Sequence, residues 1–193
     1  MMENNNRLGL IHVYTGEGKG KTTTALGISV RALGHGLNVM FIQFLKGGAH
    51  IGELSIAENY KNFRIKQFGK ICPYSDKMRK GLIDCGNCRD CLMSYDEDIK
   101  MAKDALEYSK KAVKSGDYDI VVLDEINVAM ARKLVSTGEV LKMLKKKKPH
   151  TEVILTGRYA PKGIIKAADI VTELKEIKHP MRKGVIGRYG IEY

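Results

Sequence analysis

VYTGEGKGKTTTALG, residues 13–27, joins a short apolar run to a helical pattern. Its second half matches the phosphate-loop pattern G-x-x-x-x-G-K-[ST] through Gly20, Lys21 and Thr22. The first half departs from it: Thr15 stands where the pattern has glycine, and Gly16, Gly18 and Gly20 alternate with Glu17 and Lys19. Glycines in such a loop let backbone N–H groups converge on phosphate oxygens without Cβ clashes. A lysine, here Lys21, neutralises phosphate charge, and a hydroxyl, here Thr22, can ligate Mg²⁺. The helix that follows presents its N-terminus to the same anion.

The surroundings suit a nucleotide fold. Apolar runs at 8–14, 38–44, 118–123, 152–156 and 170–174, with a weaker alternating one at 63–68, predict strands. Helical spacing of Leu26, Val30 and Leu33 predicts a helix over 23–33, and a second helix is predicted over 95–115, closed by Gly116. Ser136 and Glu139 have capping-box spacing ahead of a third, which ends in Lys145–Lys148 and Pro149. Continuous β-branched runs separated by helices predict an α/β domain, with a mostly parallel sheet covered by helices on both faces. One domain is expected over residues 1–193, with residues 70–94 as a cysteine-rich insertion that breaks the rhythm.

Such a site also needs an acidic residue ending another buried strand, and Asp124-Glu125 supplies it after 120–123 (IVVL). Either carboxylate is a candidate Mg²⁺ ligand with Thr22. Arg158, in the Thr156-Gly157-Arg158 turn after another strand, can reach a phosphate. The conjunction predicts binding of a nucleoside triphosphate with magnesium. Composition narrows the partners less. Lys plus Arg outnumber Asp plus Glu by 33 to 22, a formal charge of +11, which attracts phosphates and acidic molecules. The lysine run reads as a solvated helix end. No interleaved aromatics accompany it, so no nucleic-acid partner is expected. No run approaches the ~18 apolar residues of a membrane span, and no secretory signal is visible at the start, so a cytoplasmic setting is expected.

TGEGKGKTTTALG (residues 15–27), RALGHG (31–36), QFLKG (43–47), VVLDE (121–125), LTGR (155–158) and the closing ADIVTELKEIKHPMRKGVIGRYGIEY occur in the order found in one family. The sequence resembles the P-loop ATP:corrinoid adenosyltransferases that act on cob(I)alamin and cob(I)yrinic acid a,c-diamide, from about Leu8 to Tyr193. The resemblance implies a RecA-like P-loop NTPase fold, a homodimer, and a cobalt-reducing flavoprotein or similar reductase as partner. It implies transfer of the 5′-deoxyadenosyl group of ATP to the Co(I) of a reduced corrinoid, with tripolyphosphate leaving, in adenosylcobalamin synthesis or salvage. Thr15 then becomes a family feature. No catalytic nucleophile or base is expected, because Co(I) is itself the nucleophile. The ATP-binding set is Thr15, Gly16, Glu17, Gly18, Lys19, Gly20, Lys21, Thr22, Thr23 and Arg158. Leaving-group stabilisation falls to Lys21 and Thr22, with Mg²⁺ held by Thr22 and Asp124 or Glu125. The Arg31–Gly36 turn is expected near the nucleotide, His179 as a structural residue, and Arg182 and Arg188 in solvent, with contact to corrinoid side chains as the alternative. The same residues leave open a small P-loop ATPase or kinase, or a nucleotide-binding metal or redox sensor.

The family pattern breaks at the cysteines. Cys72, Cys85, Cys88 and Cys91 are the chain's four, all within one short segment. C-x₂-C spacing places thiolates around one ion, and four complete a tetrahedral shell. Zinc is the expected occupant, with an iron–sulfur cluster as the alternative and redox-active thiols as the remainder. Family members carry corrin-facing aromatics shortly after the third strand. Here that region reads Gly69-Lys70-Ile71-Cys72-Pro73-Tyr74, without the pair in register. Tyr74 or a metal-stapled insertion would have to form that wall.

Overall fold

A strand with apolar residues on both faces must be covered on both sides, and three strands of this chain contain no residue that reaches solvent appreciably. The computed structural model describes residues 9–47, 51–75, 77, 82–83, 95–185, 188 and 190–192. Those three strands are β2 (Val39–Phe44), β4 (Ile120–Asp124) and β5 (Glu152–Thr156), each buried along its full length. With β1 (Ile11–Thr15), β3 (Phe63–Phe68) and β6 (Ile170–Glu173) they form one sheet in the order β3-β2-β4-β5-β1-β6. Every pairing is parallel, with Phe41 beside Val122, Val122 beside Ile154, and Val13 beside Leu155. The expected α/β architecture is therefore present, and it is parallel throughout the described residues.

Side chains alternate across the sheet as the pleat requires. Met40, Ile42, Phe44, Val121, Leu123, Val153 and Leu155 point into one core. It is closed by α3 (Tyr95–Ser115), α4 (Ile126–Ala131), α5 (Thr137–Leu144) and α6 (Lys162–Ala167). Val39, Phe41, Ile120, Val122 and Ile154 point into the other. That face is closed by α1 (Lys21–Gly34), with partly buried Ile56 and Ala57 of α2 (Gly52–Asn59) at its margin. Each fully buried Leu, Ile, Val or Phe contributes about 1.5–3 kcal/mol.

Two expectations from the sequence are corrected, and the packing of α1 adds a finding. Of the spaced residues Leu26, Val30 and Leu33, Leu33 is buried and Leu26 packs partly buried on the core, whereas Val30 does not. Lys21, Ala25, Ser29, Ala32 and Leu33 are buried, while Val30 is 48% exposed. Small residues let α1 lie close to the sheet, and a large side chain at Val30 would hold it off. The predicted capping box does not form, since Ser136 occupies the N-cap of α5 without a side-chain bond. Strand β6 belongs to no core, because all four of its residues are exposed at the sheet edge. Cys85, Cys88 and Cys91, and most of the expected insertion, lie outside the described residues, while Cys72 is half-buried. Among the described residues no helix is long and apolar enough to cross a membrane.

A polar staple holds the start of β1 to β5. The buried Glu152 carboxylate accepts from the amides of Gly9 and Leu10, at 2.6 and 2.8 Å, and its Oε1 lies 2.6 Å from His12 Nε2. Burial alone raises the Glu152 pKa, but the hydrogen bonds from His12, Gly9 and Leu10 reverse this and leave it below the ordinary value of 4.5. A folded-state pKa below the unfolded one contributes stability that is complete above about pH 4.5 and is lost as pH falls through the folded value. Glu152→Gln is therefore expected to lower unfolding free energy at pH 7 by about 1–3 kcal/mol. The gap to the parent protein should close in urea titrations run progressively below pH 4.5.

Candidate active site at the carboxyl edge of the sheet

A parallel sheet brings the C-terminal ends of all its strands to one edge, and the loops leaving that edge form the site. The loop after β1 contains the alternating glycines. Gly16 and Gly20 have φ of 94° and 115°, in the left-handed region that glycine adopts without strain. Gly18 is held differently. Its N–H donates to the Leu174 carbonyl at 2.7 Å, and a Cβ there would stand 2.8 Å from that oxygen. At Gly16 the same oxygen would be 2.4 Å away. The chain leaving β6 thus crosses directly against the loop, and only residues without Cβ admit it. Thr15 also acquires a reason. Its carbonyl accepts from Leu174 N at 2.8 Å and its hydroxyl accepts from Ala160 N at 3.3 Å, tying the loop to two neighbouring connections.

Lys21 is the first residue of α1, and its ammonium turns back into the loop. It donates to the carbonyls of Gly16 and Gly18 at 2.7 and 2.6 Å. Burial, followed by the charge of Arg158, lowers its pKa. Gly20 caps α1 without a side chain, so the helix N-terminus is open to an anion.

Asp124, at the end of β4, is fully buried. Its Oδ1 accepts from the hydroxyls of Thr22 and Thr156 at 2.8 and 2.6 Å. Its Oδ2 accepts from Gln43 Nε2 at 3.2 Å and from Lys46 Nζ at 2.8 Å. Four donors from four different segments thus converge on one carboxylate, which is how a buried charge is tolerated. Thr156 also accepts from Glu125 N at 3.0 Å. Glu125 follows in the left-handed conformation, φ 63°, and its pKa is raised by burial and then by Asp124. For Lys46, burial lowers the pKa, but Asp124 raises it on balance.

Lys19, Lys21, Thr22, Thr23, Lys46, Glu125 and Arg158 all line one cleft of about 730 Å³, a size suited to a small-molecule ligand. An adjoining recess of about 450 Å³ is bordered by Glu17, Lys19, Arg158 and His179. Arg158 lies 3.4 Å from Glu17, and Lys19 pairs with Glu192 near the chain's end. Glu192 also accepts from Arg188 Nε and Nη2. His179 Nδ1 accepts from Met181 N and caps a short 3₁₀ turn, and Arg182 bonds Glu176. The Arg31–Gly36 turn does not join the site. It lies at the opposite end of the 14-residue α1, about 20 Å along the axis.

Gln43, Lys46 and Thr156 were not singled out from the sequence. Their signal was positional: each stands at or just past the end of a buried strand on the same edge as Asp124. Among the described residues no group of three or more His, Cys, Asp or Glu side chains gathers around a metal position.

Six parallel strands, a Gly-Lys-Thr loop between strand and helix, and a buried acid ending a central strand are consistent with the P-loop class of α/β nucleotide proteins. The chain belongs to the ATP:corrinoid adenosyltransferase BtuR/CobO/CobP family, whose model matches residues 7–193. It is 37% identical over 186 residues to a corrinoid adenosyltransferase of Sinorhizobium sp., covering 96% of this chain and 80% of that one. Corrinoid adenosyltransferase CobA of Salmonella typhimurium is 34% identical, and the corrinoid adenosyltransferase of Escherichia coli K12 is 31% identical. Each match covers 96% of this chain and 86% of the relative.

Both the Thr22 and Thr156 hydroxyls donate to Asp124 Oδ1. Thr156 is locked between strands, so Thr156→Val should remove one donor from a buried charge and one acceptor from Glu125. Denaturant melts are expected to show a loss of about 1–3 kcal/mol.

Proposed function

We propose that this protein transfers the 5′-deoxyadenosyl group of ATP to the Co(I) of a reduced corrinoid and releases tripolyphosphate. The observation that carries the reading is the family match across residues 7–193, with its glycine-lysine loop folded beside a buried Asp124. The cobalt electron pair of the substrate forms the Co–C5′ bond. The C5′–O bond breaks, and its electrons leave on the triphosphate. No residue need act as nucleophile or base, so the protein's work is positioning and charge compensation. Positioning alone accounts for about 7–11 kcal/mol of a barrier in well-oriented reactions. Lys21 and the open N-terminus of α1 neutralise the departing triphosphate. Arg158 and Lys19, now paired with Glu17 and Glu192, can exchange those partners for phosphate oxygens.

The oxygen donors Thr22 and Asp124 suit a hard divalent cation such as Mg²⁺, and Glu125 stands beside them. Such an ion supplies charge neutralisation to the triphosphate. The β3-β2-β4-β5-β1-β6 order supports a RecA-like assignment, since β5 separates the loop strand from the acid strand. A single domain, a homodimer and a cobalt-reducing partner complete the reading, and family resemblance supports them.

Cys72, Cys85, Cys88 and Cys91 are read as a zinc site that folds the segment over 70–94, supported by their C-x₂-C spacing. A polar loop of that length has little core of its own. Purified protein should contain about one zinc per chain, lost on mutation of Cys85 and Cys88. Metal-free protein with full activity in chelator would remove the proposal.

ATP, Mg²⁺ and a chemically reduced corrinoid should give a light-sensitive Co–C product and tripolyphosphate in equal amounts. Lys21→Ala should reduce kcat/KM about 10²–10³-fold. Orthophosphate without adenosylated corrinoid would assign a simple ATPase instead.

A further inference from the structure

We propose that the Lys46 ammonium is a built-in occupant of the cation position at Asp124, and that a divalent ion must displace it to reach the carboxylate. The inference rests on reading Thr22 and Asp124 as the ion's protein ligands. Lys46 Nζ is 2.8 Å from Asp124 Oδ2 and 3.5 Å from Thr22 Oγ1, so it lies against both residues that would hold the ion. A directly bound Mg²⁺ lies about 2.0–2.1 Å from each ligand oxygen, and an ammonium cannot share that space.

The other three donors on Asp124 are poor candidates to leave. Gln43 and Thr156 are fully buried in β2 and β5, and Gln43 is itself held by Gln67 Nε2 at 2.8 Å. Thr22 is anchored in the first turn of α1 and would stay as a ligand. Lys46 alone comes from a loop, and its side chain is 30% exposed against 0% for Asp124. The backbone aims it there. Leu45 is held at φ 60°, an uncommon conformation for a leucine, with its N–H bonded to Phe68 O at 2.9 Å. Gly47 packs so tightly on Gly69 that a Cβ would lie 2.0 Å from its carbonyl oxygen. A turn pinned on both sides of Lys46 presents its ammonium over the sheet edge, into the cleft shared with Lys21 and Glu125.

Exchange keeps the site balanced. Asp124 is compensated by Lys46 before the ion arrives and by the ion afterwards. The released ammonium, on its flexible four-carbon stem, is then free to meet the oxygens of the departing triphosphate. The same lysine would serve the carboxylate first and the leaving group second.

Mn²⁺ binding without nucleotide, read from loss of the free-ion paramagnetic resonance signal, tests this directly. Lys46→Met removes the competitor and should tighten Mn²⁺ binding about tenfold or more, as loss of a charge-assisted hydrogen bond predicts. Lys46→Gln, which keeps a neutral donor for folding, should give a smaller gain, and Lys46→Arg none. Mn²⁺ should also raise the melting temperature of the Met and Gln variants more than that of the parent. Damage to the fold does not create a tighter metal site, so a gain cannot arise from a merely structural role. Unchanged or weaker Mn²⁺ binding in both the Met and Gln variants would overturn the proposal. Adenosylation by the parent protein is scored separately, so failure here and failure of the functional reading remain distinct.

Discussion

The structure is organised around one buried negative charge. Asp124 has no contact with solvent, and an isolated carboxylate in that position would be intolerable. It survives because Thr22, Gln43, Lys46 and Thr156 each bring a donor. Those residues come from the start of α1, the end of β2, the turn after it, and the end of β5. Satisfying the charge therefore fixes the relative positions of the phosphate loop and three strand ends. The carboxylate is both the keystone of this edge and, on the proposed reading, the anchor of a cation.

The second constraint is close packing of backbone on backbone. The alternating glycines are a response to the chain leaving β6, which crosses the loop at Leu174. With three small residues and Thr15 acting as a tie, the loop is braced from two directions. A braced loop suits a reaction in which the whole triphosphate departs as one unit, since the group must be gripped along its length.

Much of this was legible in the residues, for physical reasons. The alternating run of β3, the continuous apolar run of β5 and the long helix α3, closed by Gly116, are predicted at their observed limits. The short helices α2, α4 and α6 were not identified, because six to eight residues complete too few turns to display a 3.6-residue repeat. The spacing of Leu26, Val30 and Leu33 marks α1 as a helix but does not name its buried face, because close approach to the sheet is made by Ala25, Ser29 and Ala32. Lys21, Thr22 and Asp124 announced themselves by motif. Gln43, Lys46 and Thr156 lie within the QFLKG and LTGR stretches, but their role depends on strand order, a property of long-range pairing that local pattern does not encode.

The exposed edge strand and the tail beyond it bear on how the protein is handled at the bench. Because Leu174 braces the glycine loop and Glu192 sits against Lys19, Glu192 stands at the entrance of the cleft. A purification tag appended there would crowd the mouth through which ligands pass. Gly9, beside Pro149 and Glu152 at the opposite edge of the sheet, stands clear of that mouth.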